Sequence, residues 1–186
     1  MAAILAATML QMIVGVAGGF EQFNGKGFVS RIIAYPVLML VVPGIWWWRH
    51  RGTDARPPWG AFALIMAPFL IDVTGNTLDL YDTVVIWDDL NHLVNWFLLC
   101  LGLGLLIGPL GPRWRTVLTI TGLGAVLAIG WELGEWYTFI RRGVELETAY
   151  QDTLGDEALG TLGALVAGLI VARRPAPASD SVRIAP

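Results

Sequence analysis

Six apolar runs, each long enough to cross a lipid bilayer, constrain this chain more than any other feature of its sequence. They cover residues 2–19, 31–48, 59–80, 88–108, 115–140 and 152–172. A bilayer span needs about 20 mostly apolar residues, and only helices or closed barrels satisfy the backbone in lipid. The runs lack the alternation that is typical of barrel strands. The sequence therefore predicts an all-α polytopic membrane helix bundle with about six transmembrane helices.

The charge content of the chain narrows its class further. Only 15% of the residues are charged and the net charge is −3, which excludes a broadly basic surface for nucleic acid. The chain has only two histidines, His50 and His92, and they are predicted on opposite sides of the membrane, which argues against a histidine-rich membrane desaturase or hydroxylase. We expect a transmembrane domain over residues 1–173. Residues 174–186, rich in Pro, Ala and Ser, are expected to form a disordered cytoplasmic tail.

Basic residues are concentrated on one side of the predicted bundle. Eight of the 12 follow spans two, four and six: Arg49, Arg51, Arg56, Arg113, Arg115, Arg173, Arg174 and Arg183. The other four are Lys26, Arg31, Arg141 and Arg142. The side richer in Lys and Arg faces the cytoplasm. The sequence therefore predicts a multi-pass membrane protein with both termini in the cytoplasm.

Acidic residues show the opposite bias, because only Asp54 and Asp180 of the 15 lie on the predicted cytoplasmic side. In four spans, polar side chains recur at helical spacings that place them on one face. They are Asp72, Asn76 and Asp79 in span three, Asp88, His92 and Asn95 in span four, Glu132 and Glu135 in span five, and Asp152 and Asp156 in span six.

Carboxylates at this depth must face one another, water or a cation, since each one facing lipid costs roughly 2.5–3.5 kcal/mol or more. We therefore expect one outward-facing polar pocket. A divalent metal ion would neutralise it, because carboxylates with a histidine suit zinc, manganese or iron. The candidate ligands are Asp88, His92, Glu132, Glu135, Asp152 and Asp156, and Asp72, Asn76, Asp79 and Asn95 complete the pocket.

A pocket without a metal is the alternative. Shared protons, water and a fixed counter-ion would then neutralise the acids, and Arg141 or Arg142 is the candidate counter-ion. Asp88 and Asp152 also suit helix N-termini, where an aspartate satisfies free amides. Spans one and two carry no acid or histidine in their interiors. We expect these two spans to shield the bundle and to contribute nothing to the pocket.

Three short motifs resemble the YjdF-like family of bacterial inner-membrane proteins, whose function is uncharacterised. The motifs are Asp88 with His92, the run Glu132, Glu135 and Trp136, and the run Asp152, Thr153 and Asp156 leading to Gly160 and Ala164. The resemblance covers residues 88–168, and it implies a shared architecture and polar site without supplying a reaction. A weaker likeness to VanZ-type membrane proteins rests on the last acidic helix.

These observations favour a small integral membrane protein whose outward-facing pocket of carboxylates and a histidine binds a cation. As an enzyme it would depend on the metal and act on a lipid-linked or periplasmic phosphate. Its partners would be membrane lipids, with a membrane-protein partner or a homo-oligomer as further expectations. A non-catalytic accessory subunit of a larger membrane complex is one alternative function. Transport of protons or cations is another, although the halves show no inverted repeat and the polar residues cluster at one face.

The predicted topology can be tested with a C-terminal fusion. We expect a reporter that is active only in the cytoplasm to be active at the C-terminus, because the eight-to-four bias of basic residues orients the bundle. Activity of a periplasm-specific reporter at the same position would contradict this orientation.

Overall fold

The computed structural model describes residues 1–175, except for the side chains of Arg142, Val144 and Glu145, and its regular structure over that range is entirely helical. Its α-helices are α1 (Ala2–Ala17), α2 (Phe28–Arg49), α3 (Trp59–Thr77), α4 (Leu80–Thr83), α5 (Trp87–Ile107), α6 (Arg113–Thr138) and α7 (Ala149–Ala172). The all-α prediction is confirmed. The disordered tail predicted for residues 174–186 lies outside the described residues from residue 176 onward.

Five helices, α2, α3, α5, α6 and α7, are long and apolar enough to cross a membrane. Their bounds lie within a few residues of predicted spans two to six. Helix α1 has 16 residues and is therefore about 24 Å long, which is shorter than the roughly 30 Å hydrocarbon core. A sixth crossing by α1 stays a prediction.

Helices α5 and α7 run in the same direction, and α6 runs against them. Gly160 lies beside Trp96 near the middles of α7 and α5, and Gly104 lies beside Val171 towards their ends. Gly168, near the end of α7, lies beside Val117, near the beginning of α6. The beginnings of α5 and α7 therefore meet the end of α6.

Helix α3 runs against α5 and carries α1 and α2 on its other side. Gly102 of α5 lies beside Ile65 in the first half of α3, while Gly75 near the end of α3 lies beside Trp87. Met12 of α1 and Tyr35 of α2 are buried in one apolar cluster with residues of α3. The beginnings of α2, α5 and α7 and the ends of α3 and α6 thus lie at one end of the bundle.

Small residues allow the helices of the second half to approach closely. A Cβ atom at Gly163 of α7 would overlap the backbone of Leu93 and Phe97 in α5, and one at Gly124 of α6 would overlap Ala164. Membrane helices associate through such close backbone contacts. This packing fixes the distance between the helices that carry most of the acidic side chains.

The structure ends α3 earlier than the sequence predicts. The helix stops at Thr77, and Asp79 adopts a left-handed conformation with φ of 59° before the short helix α4. The prediction that span three continues to residue 80 is wrong, because the chain turns at Leu78 and Asp79. The spacing that placed Asp79 on the face of Asp72 therefore does not hold.

Substituting Gly163 tests the close contact between α5 and α7. We expect Gly163→Leu to lower the free energy of unfolding by at least the roughly 1–3 kcal/mol typical of overpacking, because the obstructing atoms are backbone. Thermal unfolding in detergent measures the change. Gly122→Leu is the matched control, since a Cβ at Gly122 meets no atom within 4 Å. Equal melting temperatures for the two variants would contradict the packing.

Candidate functional site

A polar cavity of about 350 Å³ opens at the end of the bundle where α2, α5 and α7 begin. Eight of the ten residues expected in a pocket line it: Asp72, Asn76, Asp88, His92, Asn95, Glu135, Asp152 and Asp156. Aromatic rings of Phe69, Trp96, Trp131 and Phe139 supply apolar parts of its wall. Glu132 is not part of the lining, and it lies behind His92 with its Oε1 3.5 Å from Nε2.

One half of the cavity is built around an arginine from α2. Nη1 of Arg31 donates to both carboxylate oxygens of Asp72 at 2.7 and 3.0 Å, and Nη2 donates to Oε1 of Glu135 at 3.3 Å. The hydroxyl of Tyr35 also donates to Asp72, at 2.5 Å. The side chains of Arg31 and Asp72 are only 12% and 11% exposed. The guanidinium therefore neutralises charge that would otherwise be buried without a partner.

A chain of hydrogen bonds runs from Asp72 along α5. Tyr81 donates to Oδ1 of Asp72 at 2.8 Å and accepts a bond from Nδ2 of Asn91. Oδ1 of Asn91 accepts in turn from Nδ2 of Asn95 at 2.7 Å. Because an ionised carboxylate only accepts, Asp72 sets the direction of every bond in this chain. The chain leaves Oδ1 of Asn95 as a buried acceptor without a hydrogen-bond donor.

The other half of the cavity is built around His92. Its Nδ1 lies 3.0 Å from Oδ1 of Asp156 and 3.5 Å from Oδ1 of Asp88, while Nε2 faces Glu132. Thr153 donates to Oε2 of Glu132 at 3.2 Å, which holds that carboxylate in place. Glu132 and Asp156 are 7% and 4% exposed. His92 thus bridges carboxylates from α5, α6 and α7.

Two sets of side chains around His92 have the geometry to hold a metal ion. They are Asp88, His92 and Asp156, and His92, Glu132 and Glu135, each with its ligand atoms within 4.8 Å of one another. Glu135 already pairs with Arg31 at 3.3 Å. Among the ion pairs of residues 1–175, Asp88 and Asp156 face no lysine or arginine. A cation would therefore offset more uncompensated negative charge in the set of Asp88, His92 and Asp156 than in the second set.

The rim of the cavity carries a separate ion pair. Nζ of Lys26 lies 2.6 Å from Oδ2 of Asp82, and this hydrogen-bonded ammonium lowers the pKa of Asp82. The pKa of Asp79 is raised, first by partial desolvation and to a smaller extent by the hydrogen bond with Asp82 and the negative charge of Asp82. Asp79 interacts at this rim and does not line the cavity. The expectation that it shares the pocket of His92 is wrong, because α3 ends before it.

The prediction that spans one and two contribute nothing to the pocket is wrong for span two. Arg31 and Tyr35 stand one helical turn apart near the beginning of α2, and both line the cavity. The one hint in the sequence is that Arg31 belongs to the four basic residues on the minority side, which does not by itself distinguish a pocket residue from an interfacial anchor. Span one conforms to the prediction, since Gln11 bonds to Thr74 at 3.2 Å and does not line the cavity.

The counter-ion of the cavity is Arg31 and not Arg141, which the sequence had suggested. Arg141 is exposed and stacks over the ring of Tyr137 at 5.0 Å from the ring centre. The side chain of Arg142 lies outside the described part of the chain. Arg31 is better placed because α2 begins beside the end of α3, where Asp72 lies.

Comparison with known proteins identifies a family and no characterised relative. A family model described as "Predicted membrane protein (DUF2238)" matches residues 2–176. No curated protein and no solved structure matches the chain. The match is consistent with the YjdF-like resemblance and extends it to nearly the whole chain, whereas the likeness to VanZ-type proteins receives no support.

Removing one partner of the buried Arg31–Asp72 pair tests its importance. We expect Arg31→Gln to reduce the free energy of unfolding by about 3–5 kcal/mol, because a buried carboxylate loses its counter-ion. Thermal and denaturant unfolding in detergent measures this loss. Arg141→Gln, on an exposed arginine, should leave stability unchanged.

The double variant Arg31→Gln, Asp72→Asn decides whether the two charges interact. We expect it to recover part of the stability that Arg31→Gln loses, because Asp72 then carries no unpaired charge, while Glu135 still lacks its partner. Losses that simply add in the double variant would contradict the pair.

Proposed function

Because the chain belongs to the DUF2238 family of predicted membrane proteins, whose description names no reaction, we propose its function from the cavity: the protein binds a divalent cation beside His92. The ligands are Nδ1 of His92 and the carboxylates of Asp88 and Asp156. Asp152, which is exposed and lines the same cavity, is a further ligand at the open side.

The arrangement of the two imidazole nitrogens is the observation that carries this proposal. Nδ1 faces Asp88 and Asp156, and Nε2 faces Glu132, which Thr153 holds. Metal-binding histidines commonly donate their second N–H to a carboxylate, which fixes the ring and its tautomer. Glu132 therefore acts as the positioning partner of His92, and not as the metal ligand that the sequence suggested.

Electrostatics supports the same assignment. In the other half of the cavity, Arg31 offsets the negative charges of Asp72 and Glu135. Asn76 donates a hydrogen bond to the backbone oxygen of Asp72 in the same half. Asp88, Asp156 and Glu132 share only His92 as a basic partner in the described residues. A divalent cation would compensate the remaining charge, since unpaired charges in a partly desolvated site are strongly unfavourable.

The donor set indicates which ions and which chemistry the site suits. Carboxylates with one imidazole suit zinc, manganese or iron better than magnesium or calcium, which prefer oxygen ligands alone. A metal ion in an open cavity polarises a phosphate oxygen or activates water. We therefore propose a metal-dependent enzyme acting on a lipid-linked or periplasmic phosphate, with the metal, and no side-chain nucleophile, supplying the reactivity.

Metal binding by the purified protein tests the proposal. We expect Zn²⁺ or Mn²⁺ at 100 times its dissociation constant to stabilise the wild type by about 2.7 kcal/mol, and His92→Ala or Asp156→Asn to abolish the effect. Glu132→Gln should weaken binding about 10–100-fold, as loss of a carboxylate that orients a ligand does. Thermal unfolding and calorimetric titration in detergent provide the two measurements.

Asp89→Asn is the matched control, because Asp89 is exposed beside Asp88 and does not line the cavity. It should bind metal like the wild type. If the wild type neither binds nor is stabilised by these ions, the proposal fails, and the contacts of His92 are hydrogen bonds of a metal-free imidazolium.

A further inference from the structure

A groove lies between α2 and α6, beside the polar cavity. It encloses about 190 Å³. Ser30, Ala34 and Leu38 line it from α2, and Gly130, Gly134 and Thr138 line it from α6. We refer to these six residues as the α2–α6 groove. Small side chains on both walls leave a narrow depression along two helices that are each long enough to span a membrane.

The groove and the cavity adjoin each other at the Arg31–Glu135 ion pair. The two share Arg31, Tyr35, Trp131, Glu135 and Phe139 as lining residues. Arg31 therefore stands at the junction, in contact with Asp72 on the cavity side. A ligand with an apolar chain and a polar end would place the chain in the groove and the polar end in the cavity.

The environment of α2 and α6 determines what fills the groove. Side chains on the outward surfaces of these helices are apolar and exposed, including Ile33 at 68%, Val37 at 62% and Leu133 at 54%. A Cβ built on Gly130 or Gly134 meets no atom within 4 Å, so open space lies beside both glycines. In the hydrocarbon of a bilayer the molecules available to fill such space are lipid chains.

We infer that the ligand of the cavity is a phosphate-bearing lipid that reaches it sideways from the bilayer, with its chain in the α2–α6 groove. The inference rests on the proposed function, because the cavity without a cation is too acidic to hold a phosphate. It also favours a lipid-linked phosphate over a water-soluble periplasmic phosphate as the ligand. A water-soluble phosphate would have no use for an apolar groove that joins the cavity at Arg31.

A substitution that fills the α2–α6 groove tests whether a lipid chain binds there. Gly134→Leu places an isobutyl group in the open space beside α6, and the absence of neighbours within 4 Å predicts that the fold tolerates it. Gly122→Leu makes the same change on the same helix, also with no neighbour within 4 Å, and Gly122 does not line the groove. Both variants gain the same helix propensity and the same apolar surface.

The experiment uses the full chain with Mn²⁺ in nanodiscs of phosphatidylcholine that contain a trace of phosphatidylglycerol with a diazirine in its acyl chain. After illumination, mass spectrometry maps the cross-linked residues. We expect cross-links to concentrate on Ala34, Leu38 and neighbouring groove residues. Labelling there should fall about tenfold in Gly134→Leu, equivalent to about 1.4 kcal/mol of binding free energy, and remain unchanged in Gly122→Leu. Even labelling around the bundle, or equal labelling of the two variants, would overturn the inference.

A second probe tests the phosphate. Diacylglycerol with the same diazirine chain should label the groove less than phosphatidylglycerol does in the presence of Mn²⁺, and equal labelling would overturn the assignment of a phosphate. Metal affinity is measured in parallel in Gly134→Leu, where we expect the wild-type value. Normal metal binding without preferential groove labelling rejects this inference alone, whereas absence of metal binding in the wild type rejects the proposed function.

Discussion

The contact between Arg31 and Asp72 is the interaction on which the rest of this structure depends. Both residues belong to helices that are long and apolar enough to cross a membrane, and their side chains are almost fully buried, so neither charge is stable there alone. The pair joins α2 to α3, and the second contact of Arg31, with Glu135, joins α2 to α6. In lipid no hydrophobic effect drives helices together. The position of α2 beside the cavity therefore depends on an ion pair in addition to packing.

This ion pair divides the cavity into two halves with different electrostatic character. Around Asp72, tyrosine hydroxyls and a guanidinium satisfy the carboxylate, and the hydrogen-bond direction it imposes extends through Asn91 to Asn95. Around His92, three carboxylates converge on one imidazole. Because the negative charges of the first half are already offset by Arg31, an added cation would lower the free energy most in the second half. Because α5, α6 and α7 pack through small residues, the acids of this half are held at fixed positions.

The sequence was sufficient to predict the helical class, five spans close to their observed bounds, and eight of the residues that line the cavity. The helical spacing of the polar residues and their positions inside apolar runs were sufficient for these predictions, because a row of acids on one face of a membrane helix must face the interior of the bundle. The role of Arg31 could not be read in the same way, since a basic residue at the beginning of an apolar run equally suits an interfacial anchor. The displacement of Asp79 depends on a turn at a left-handed residue, which helical spacing does not reveal. Both exceptions concern how the helices pack and where the chain turns, and not which class of secondary structure it forms.

Charge also sets the order in which the proposed ligands bind. Asp88, Asp152 and Asp156 face the open cavity, and like charges at short range repel a phosphate. Once a divalent cation occupies the His92 half, the same position attracts the phosphate, while Arg31 faces it from the junction with the α2–α6 groove. In the function proposed above, cation and lipid would therefore bind cooperatively, and linkage would require each to raise the affinity of the other by the same factor. The acidic residues proposed to bind the cation would thus also keep phosphate-bearing lipids out of the metal-free site.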